Sequence, residues 1–156
     1  MTYIVGIDPG ASGALAFFDA DAGDLQVHDM PALVVTRNGK LKREVSVTVV
    51  AGLLRKYEPV HAYLELVGAR PNQGVSSMYQ FGRTVGMLEG CLGALMVPTT
   101  RVAPQRWQKF TATRGGKGGA RLRAAELFPA YATYFARVKD DGRADAALIA
   151  WWGCTK

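Results

Sequence analysis

Two short apolar runs, each carrying a carboxylate in a place that burial would ordinarily forbid, constrain this chain more than anything else in it. Residues 3–8 (YIVGID) read as a buried strand that Pro9-Gly10 closes, with Asp8 as its last residue. Residues 60–67 (VHAYLELV) read as another strand, near the end of which Glu65 interrupts an otherwise apolar sequence. A charged group in such a strand is costly unless it meets a cation.

The rest of the chain gives these strands a setting. Residues 13–19 (GALAFFD) and a stretch around 25–30 predict two further strands, joined through DADAGD as an antiparallel meander. Residues 31–44 are polar and basic with no clear period, and the expectation is an irregular connection. Val45 to Tyr57 predicts a helix, stopped by Pro59. A longer helix is expected from Ser76, with Met78, Phe81, Val85, Leu88 and Leu92 on one face. Gly82, Gly86 and Gly90 form a second stripe at four-residue steps. Glycine weakens a helix interior by roughly 1 kcal/mol, so the stripe predicts close approach of another backbone, either the sheet beneath or a partner helix. A fifth strand is expected over 94–101, a short helix from Pro104, another from Ala120 to Phe128, and a last one from about Gly142 through Trp151. The sum is a single domain over residues 1–156, an α/β fold with a mixed sheet covered by helices.

Composition narrows the partners. The chain carries +6 net charge, and Arg101, Arg106, Lys109, Arg114, Lys117, Arg121 and Arg123 fall within 23 residues that contain no acid. Gly115, Gly116, Gly118 and Gly119 lie in the same stretch. A basic, glycine-rich loop suits a phosphate backbone, so Arg106, Lys109, Arg114, Lys117 and Arg121 are candidate DNA contacts. Cys91 and Cys154 are too few and too far apart for a disulfide framework or zinc site. No apolar run of membrane-spanning length and no secretory leader pattern are present, and the expected location is the cytoplasm of a bacterial cell or infected host.

A third carboxylate, Asp145, lies among Ala144, Ala146, Ala147 and Leu148 on the last helix. Asp141 is four residues earlier, and a helix reaching that far places both on one face. Carboxylates from separate segments can hold two magnesium ions roughly 3.5–4 Å apart, one to lower the pKa of an attacking water and one to stabilise a leaving oxygen. Asp8, Glu65, Asp145 and Asp141 are therefore the candidate metal ligands and catalytic acids. Three acids that are satisfied separately are the structural alternative.

GIDPGASGALA (6–16), LELVGARPNQGVSSMYQFGRTVG (64–86), VAPQRWQK (102–109) and DGRADAALIA (141–150), in this order and spacing, resemble the RuvC-type Holliday junction resolvases, above all their short phage-like forms. The resemblance covers nearly the whole chain. It implies a ribonuclease H-like fold with a five-stranded mixed sheet flanked by helices, a homodimer, two catalytic Mg2+ ions (Mn2+ as the alternative) and paired nicks across a four-way junction. It makes Asp8 the ligand shared by both ions, with Glu65 and Asp145 completing the cluster. Members of the family usually carry a second acid three residues before the last aspartate, where this chain has Gly142. Asp141, or less readily Asp140, is the expected substitute. The resemblance gives Lys117 a role in orienting or charge-stabilising the transition state. It also sends Arg70 and Gln73, in the loop after the catalytic strand, toward the junction centre.

Other readings start from the same residues. A flap, fork or general branched-DNA endonuclease would use identical metal chemistry. A non-catalytic junction-binding protein would have no reason to bury Glu65. Actin-like ATPases and sugar kinases open on a similar strand and glycine-rich turn, but this chain is too short for their paired domains.

Overall fold

In the computed structural model, which describes residues 1–69 and 71–156, a five-stranded mixed sheet is sandwiched between two helical layers. β1 (Ile4–Asp8), β2 (Ala14–Asp19) and β3 (Asp24–Asp29) form the expected meander. β4 (Ala32–Arg37) and β5 (Lys40–Val45) make a separate two-stranded sheet. α1 (Val47–Tyr57) leads to β6 (His61–Glu65), which pairs with β1 in parallel. α2 (Val75–Ala94) returns the chain to β7 (Thr99–Val102), parallel to β6 at the sheet's edge. α3 (Pro104–Phe110), α4 (Gly119–Leu127), two 3-10 turns (Pro129–Phe135 and Val138–Asp140) and α5 (Asp141–Gly153) complete the chain. The sheet order is β3-β2-β1-β6-β7.

Alternation along the strands divides the core in two. Val5, Ile7, Leu15, Phe17, Ala62 and Leu64 face α1 and α2. Ala14, Ala16, Phe18 and Tyr63 face α5, α4 and the first 3-10 turn. α5 lies close on its face because the sheet offers no side chain beneath it. A Cβ on Gly6 would collide with the Ala146 carbonyl and stand 2.5 Å from the Ala150 nitrogen. The small residues Ala144, Ala146, Ala147 and Ala150 of α5 are fully buried in that contact.

Three expectations need correction. Residues 31–44 are not an irregular connection but the β4–β5 hairpin. Asn38 and Gly39 both adopt positive φ (51° and 70°), the two-residue turn whose twist matches antiparallel strands, and the Asn-Gly pair was its signal. The fifth strand begins at Thr99, because α2 continues to Ala94 through what had been read as its first residue. The glycine stripe of α2 does not meet the sheet: a Cβ at Gly82, Gly86 or Gly90 would find no atom within 4 Å. The apolar face of α2 is correspondingly split. Leu88 and Leu92 are buried, whereas Met78 is exposed and Phe81 half-buried, so the first turns of α2 stand clear of the core.

Candidate metal centre

Strand alternation sets the site. Asp8 follows Ile4 and Gly6 on the α5 side of β1, and Glu65 follows Tyr63 on the α5 side of β6. The two strands are parallel neighbours, with Ile7 opposite Leu64, so Asp8 and Glu65 extend side by side from the same edge of the sheet. Asp145 comes to this edge on the first turns of α5. Acids 8, 65 and 145 are thus gathered by topology, two from strand ends and one from the covering helix.

The electrostatics register that gathering. Burial, then the charge of Asp145, then that of Glu65 push the Asp8 carboxyl up to about 8. Burial, then the charges of Glu65 and Asp141, push Asp145 up to about 7. Among the described residues, no three His, Cys, Asp or Glu side chains stand close enough together to form a finished metal cage. The donor set itself, carboxylate oxygens without imidazole or thiolate, suits a hard divalent cation.

Glu65 has a partner that sequence reading missed as such. Trp107, fully buried on α3, donates its indole Nε1–H to Glu65 Oε1 at 3.1 Å. A buried indole needs an acceptor, and its position in a short helix after the last strand was the available signal.

Packing separates the candidates for a fourth acid. Gly142 occupies the position where an acid was expected, and it lies against the turn after β1. A Cβ there would stand 2.6 Å from the Ser12 carbonyl oxygen, 2.9 Å from Gly13 Cα and 3.1 Å from Asp8 Oδ2. Asp141, the first residue of α5, is exposed and bonded at 2.8 Å to Arg121 Nε. Asp140 is buried away from the other acids. Burial raises its pKa, but the Arg137 guanidinium and backbone N–H lower it further, leaving it below the ordinary carboxylate value. It is a structural anchor of the turn before α5.

The basic candidates divide between two places. Lys117 and Arg114 are exposed in the loop before α4, and Arg121 on α4 reaches Asp141. Arg106 and Lys109 instead line an open depression of about 740 Å³ with Tyr63, Phe110 and Trp152, beside the far end of α5. Gln73 is exposed in the loop after β6, and Arg70 lies outside the described residues.

Solved structures share this fold. Thermus thermophilus RuvC in complex with Holliday junction substrate superposes with a TM-score of 0.67 at 13% identity, over 99% of this chain and 96% of that one. The fold is the ribonuclease H-like fold of RuvC. A second T. thermophilus RuvC structure gives a TM-score of 0.59 at 18% identity, covering 99% and 96% of the two chains. The yeast mitochondrial Holliday junction resolvase Ydc2 gives 0.54 at 18% identity over 96% of this chain and 76% of its own. No protein-family model and no curated protein sequence matches the chain. The likeness to these structures, at 13–18% identity, is one of fold. No helix among the described residues is long and apolar enough to cross a membrane.

Proposed function

We propose that this protein is a divalent-metal-dependent endonuclease that nicks four-way DNA junctions and related branched DNA, working as a homodimer. The observation that carries the reading is the gathering of Asp8, Glu65 and Asp145 on one face of a RuvC-like sheet, where the charges of Asp145 and Glu65 raise the pKa of Asp8 and that of Glu65 raises the pKa of Asp145. Two half-buried acids whose pKa values are raised to about 8 and about 7, first by desolvation and then by neighbouring carboxylates, fit a site built for a cation rather than for stability.

Asp8, Glu65 and Asp145 would hold two Mg2+ ions, with Mn2+ as the alternative, and Asp141 would add its carboxylate on release from Arg121. When bound, such ions activate a water and stabilise the leaving oxygen of a phosphodiester. The chain's own residues do the positioning. Trp107 fixes the orientation of Glu65 through its indole N–H. Lys117 approaches from the glycine-rich loop to meet charge developing on the scissile phosphate. Gln73, Arg114 and Arg121 would hold the strand to be cut. The open glycine stripe of α2 has room for the second subunit.

The test offers purified protein a four-way junction, a flap, a fork and a linear duplex, with magnesium and with chelator. Symmetric paired nicks in the junction, dependent on magnesium and abolished in Asp8→Asn, Glu65→Gln and Asp145→Asn without loss of junction binding, are expected. Full turnover by any of these variants removes that residue from the site. Lys117→Ala is expected to slow nicking more than it weakens binding, and an equal loss in both reduces Lys117 to a phosphate contact.

A further inference from the structure

We propose that the β4–β5 hairpin is an arm-binding element, gripping the phosphate backbone of duplex DNA that leads away from the acid site. The proposal rests on the nuclease reading for the identity of the ligand and on independent geometry for its place. The hairpin is not hydrogen-bonded into the central sheet. A two-stranded ribbon is marginal by itself, and among the described residues its hydrogen bonds and ion pairs to the body lie at its base. There Val45 is buried, the Ser46 N–H donates to the Pro31 carbonyl at 2.8 Å, and Glu44 pairs with Arg83 of α2. Beyond that base it projects from the body with Leu33, Val34 and Leu41 exposed.

Its charge is one-sided. Residues 32–45 carry Arg37, Lys40, Lys42 and Arg43 against the single acid Glu44. Glu44 is already shared by Arg37 and Arg83. Among the described residues Lys40, Lys42 and Arg43 make no ion pair, so their charge is available to a polyanion.

Position supplies the second argument. Between the hairpin and the first turns of α2 runs a groove of about 300 Å³. One wall presents Lys42 and Arg43, the other the hydroxyl and amide groups of Ser76, Ser77 and Gln80, and the groove reaches Gly10 and Ala11. Those two residues belong to the turn that directly follows Asp8. Arg43 and Ala11 also border an adjoining depression of about 240 Å³ that adds Lys139, while its Arg137 is paired with Asp140 and Asp29 lies on the same wall. A basic track therefore starts at the turn that follows Asp8 and runs outward, on the α2 side, while Arg121 of α4 pairs with Asp141 on the other side. Cations with serine and glutamine donors form the usual phosphate-contacting set. The hairpin carries no aromatic residue, whereas single strands are held by stacking on aromatic rings, and this favours duplex.

The test measures equilibrium binding of a four-way junction in chelator across a salt series, for the full chain and for Lys42→Ala/Arg43→Ala. Arg55→Ala/Lys56→Ala, which removes equal charge from the end of α1, is the control. Loss of two phosphate contacts is expected to lower the slope of log affinity against log salt by about 2 in the hairpin variant alone. The deficit should shrink when the junction arms are trimmed to within one helical turn of the crossover. An unchanged slope, or an equal change in the control, overturns the proposal. So does Leu33→Ser/Val34→Ser/Leu41→Ser converting a dimer to a monomer by light scattering while the Lys42→Ala/Arg43→Ala slope stays at the parental value, which would make the hairpin a contact between copies. A hairpin-dependent slope in a protein that cuts no branched DNA would sink the nuclease reading and leave the arm element standing.

Discussion

Replacing Asp8 by asparagine should stabilise the metal-free protein at alkaline pH. In the fold Asp8 is pushed from its ordinary 3.8 to about 8 by burial and by the charges of Asp145 and Glu65. An acid whose folded pKa is raised favours the folded state less as pH climbs. The penalty begins near the unfolded value, about pH 4, and is complete above about pH 8. At roughly 1.4 kcal/mol per tenfold change in proton affinity, the gap corresponds to a ceiling of about 6 kcal/mol. Carboxylate rotation and water entry relieve part of it, so a gain of about 2–4 kcal/mol is expected for Asp8→Asn at pH 8.5, shrinking toward zero at pH 4. Urea denaturation in chelator at both pH values reads this directly. Magnesium should raise the midpoint of the parent and leave Asp8→Asn nearly unmoved, because binding to the folded state alone stabilises by mass action. If Asp8→Asn is no more stable than the parent at pH 8.5, Asp8 does not sit among repelling acids and the account of the site fails.

Trp107→Phe should destabilise the fold by about 2–3 kcal/mol through the vacated indole volume and the lost bond to Glu65. It should also lower the nicking rate while junction affinity holds. A parental rate would free Glu65 from any need of Trp107. Restoring an acid with Gly142→Asp should cost at least about 2 kcal/mol, since its Cβ has no room beside Ser12, Gly13 and Asp8, and a variant as stable as the parent in thermal melts would contradict that packing. Asp140→Ala should cost about 1–3 kcal/mol at pH 7 and Asp141→Ala under about 1, because Asp140 is buried against Arg137 while Asp141 is exposed. Because the Asp140 pKa is held below its ordinary value, its contribution is present above about pH 4 and lost as pH falls through the folded pKa. The Asp140→Ala and parental midpoints should therefore converge in acid; a constant gap would assign the loss to packing alone.

The chain's local chemistry was readable wherever a residue's neighbours in sequence are also its neighbours in space. β1, β2, β3 and β6 follow from apolar alternation and turn residues, and α5 follows from a buried run of alanines with one acid in it. Asp8, Glu65 and Asp145 stood out because each breaks an apolar pattern, and breaking such a pattern has a cost that invites a reason. The Asn38-Gly39 turn was equally legible and was passed over because its flanking strands are basic, so the polar surroundings hid the period of two.

Tertiary structure alone decided what those residues do to one another. That Asp8 and Glu65 share a face depends on the parallel pairing of β1 with β6, which are separated by more than fifty residues. The pairing of Trp107 with Glu65 and the lack of space at Gly142 likewise arise from contacts between distant segments. The glycine stripe of α2 shows the same limit from the other side: its spacing marked a surface for close approach, and only the packing of the helix revealed that nothing among the described residues approaches it. Sequence fixes propensity and pattern residue by residue, whereas burial and electrostatic coupling depend on which segments meet, and that is settled only when the whole sheet closes.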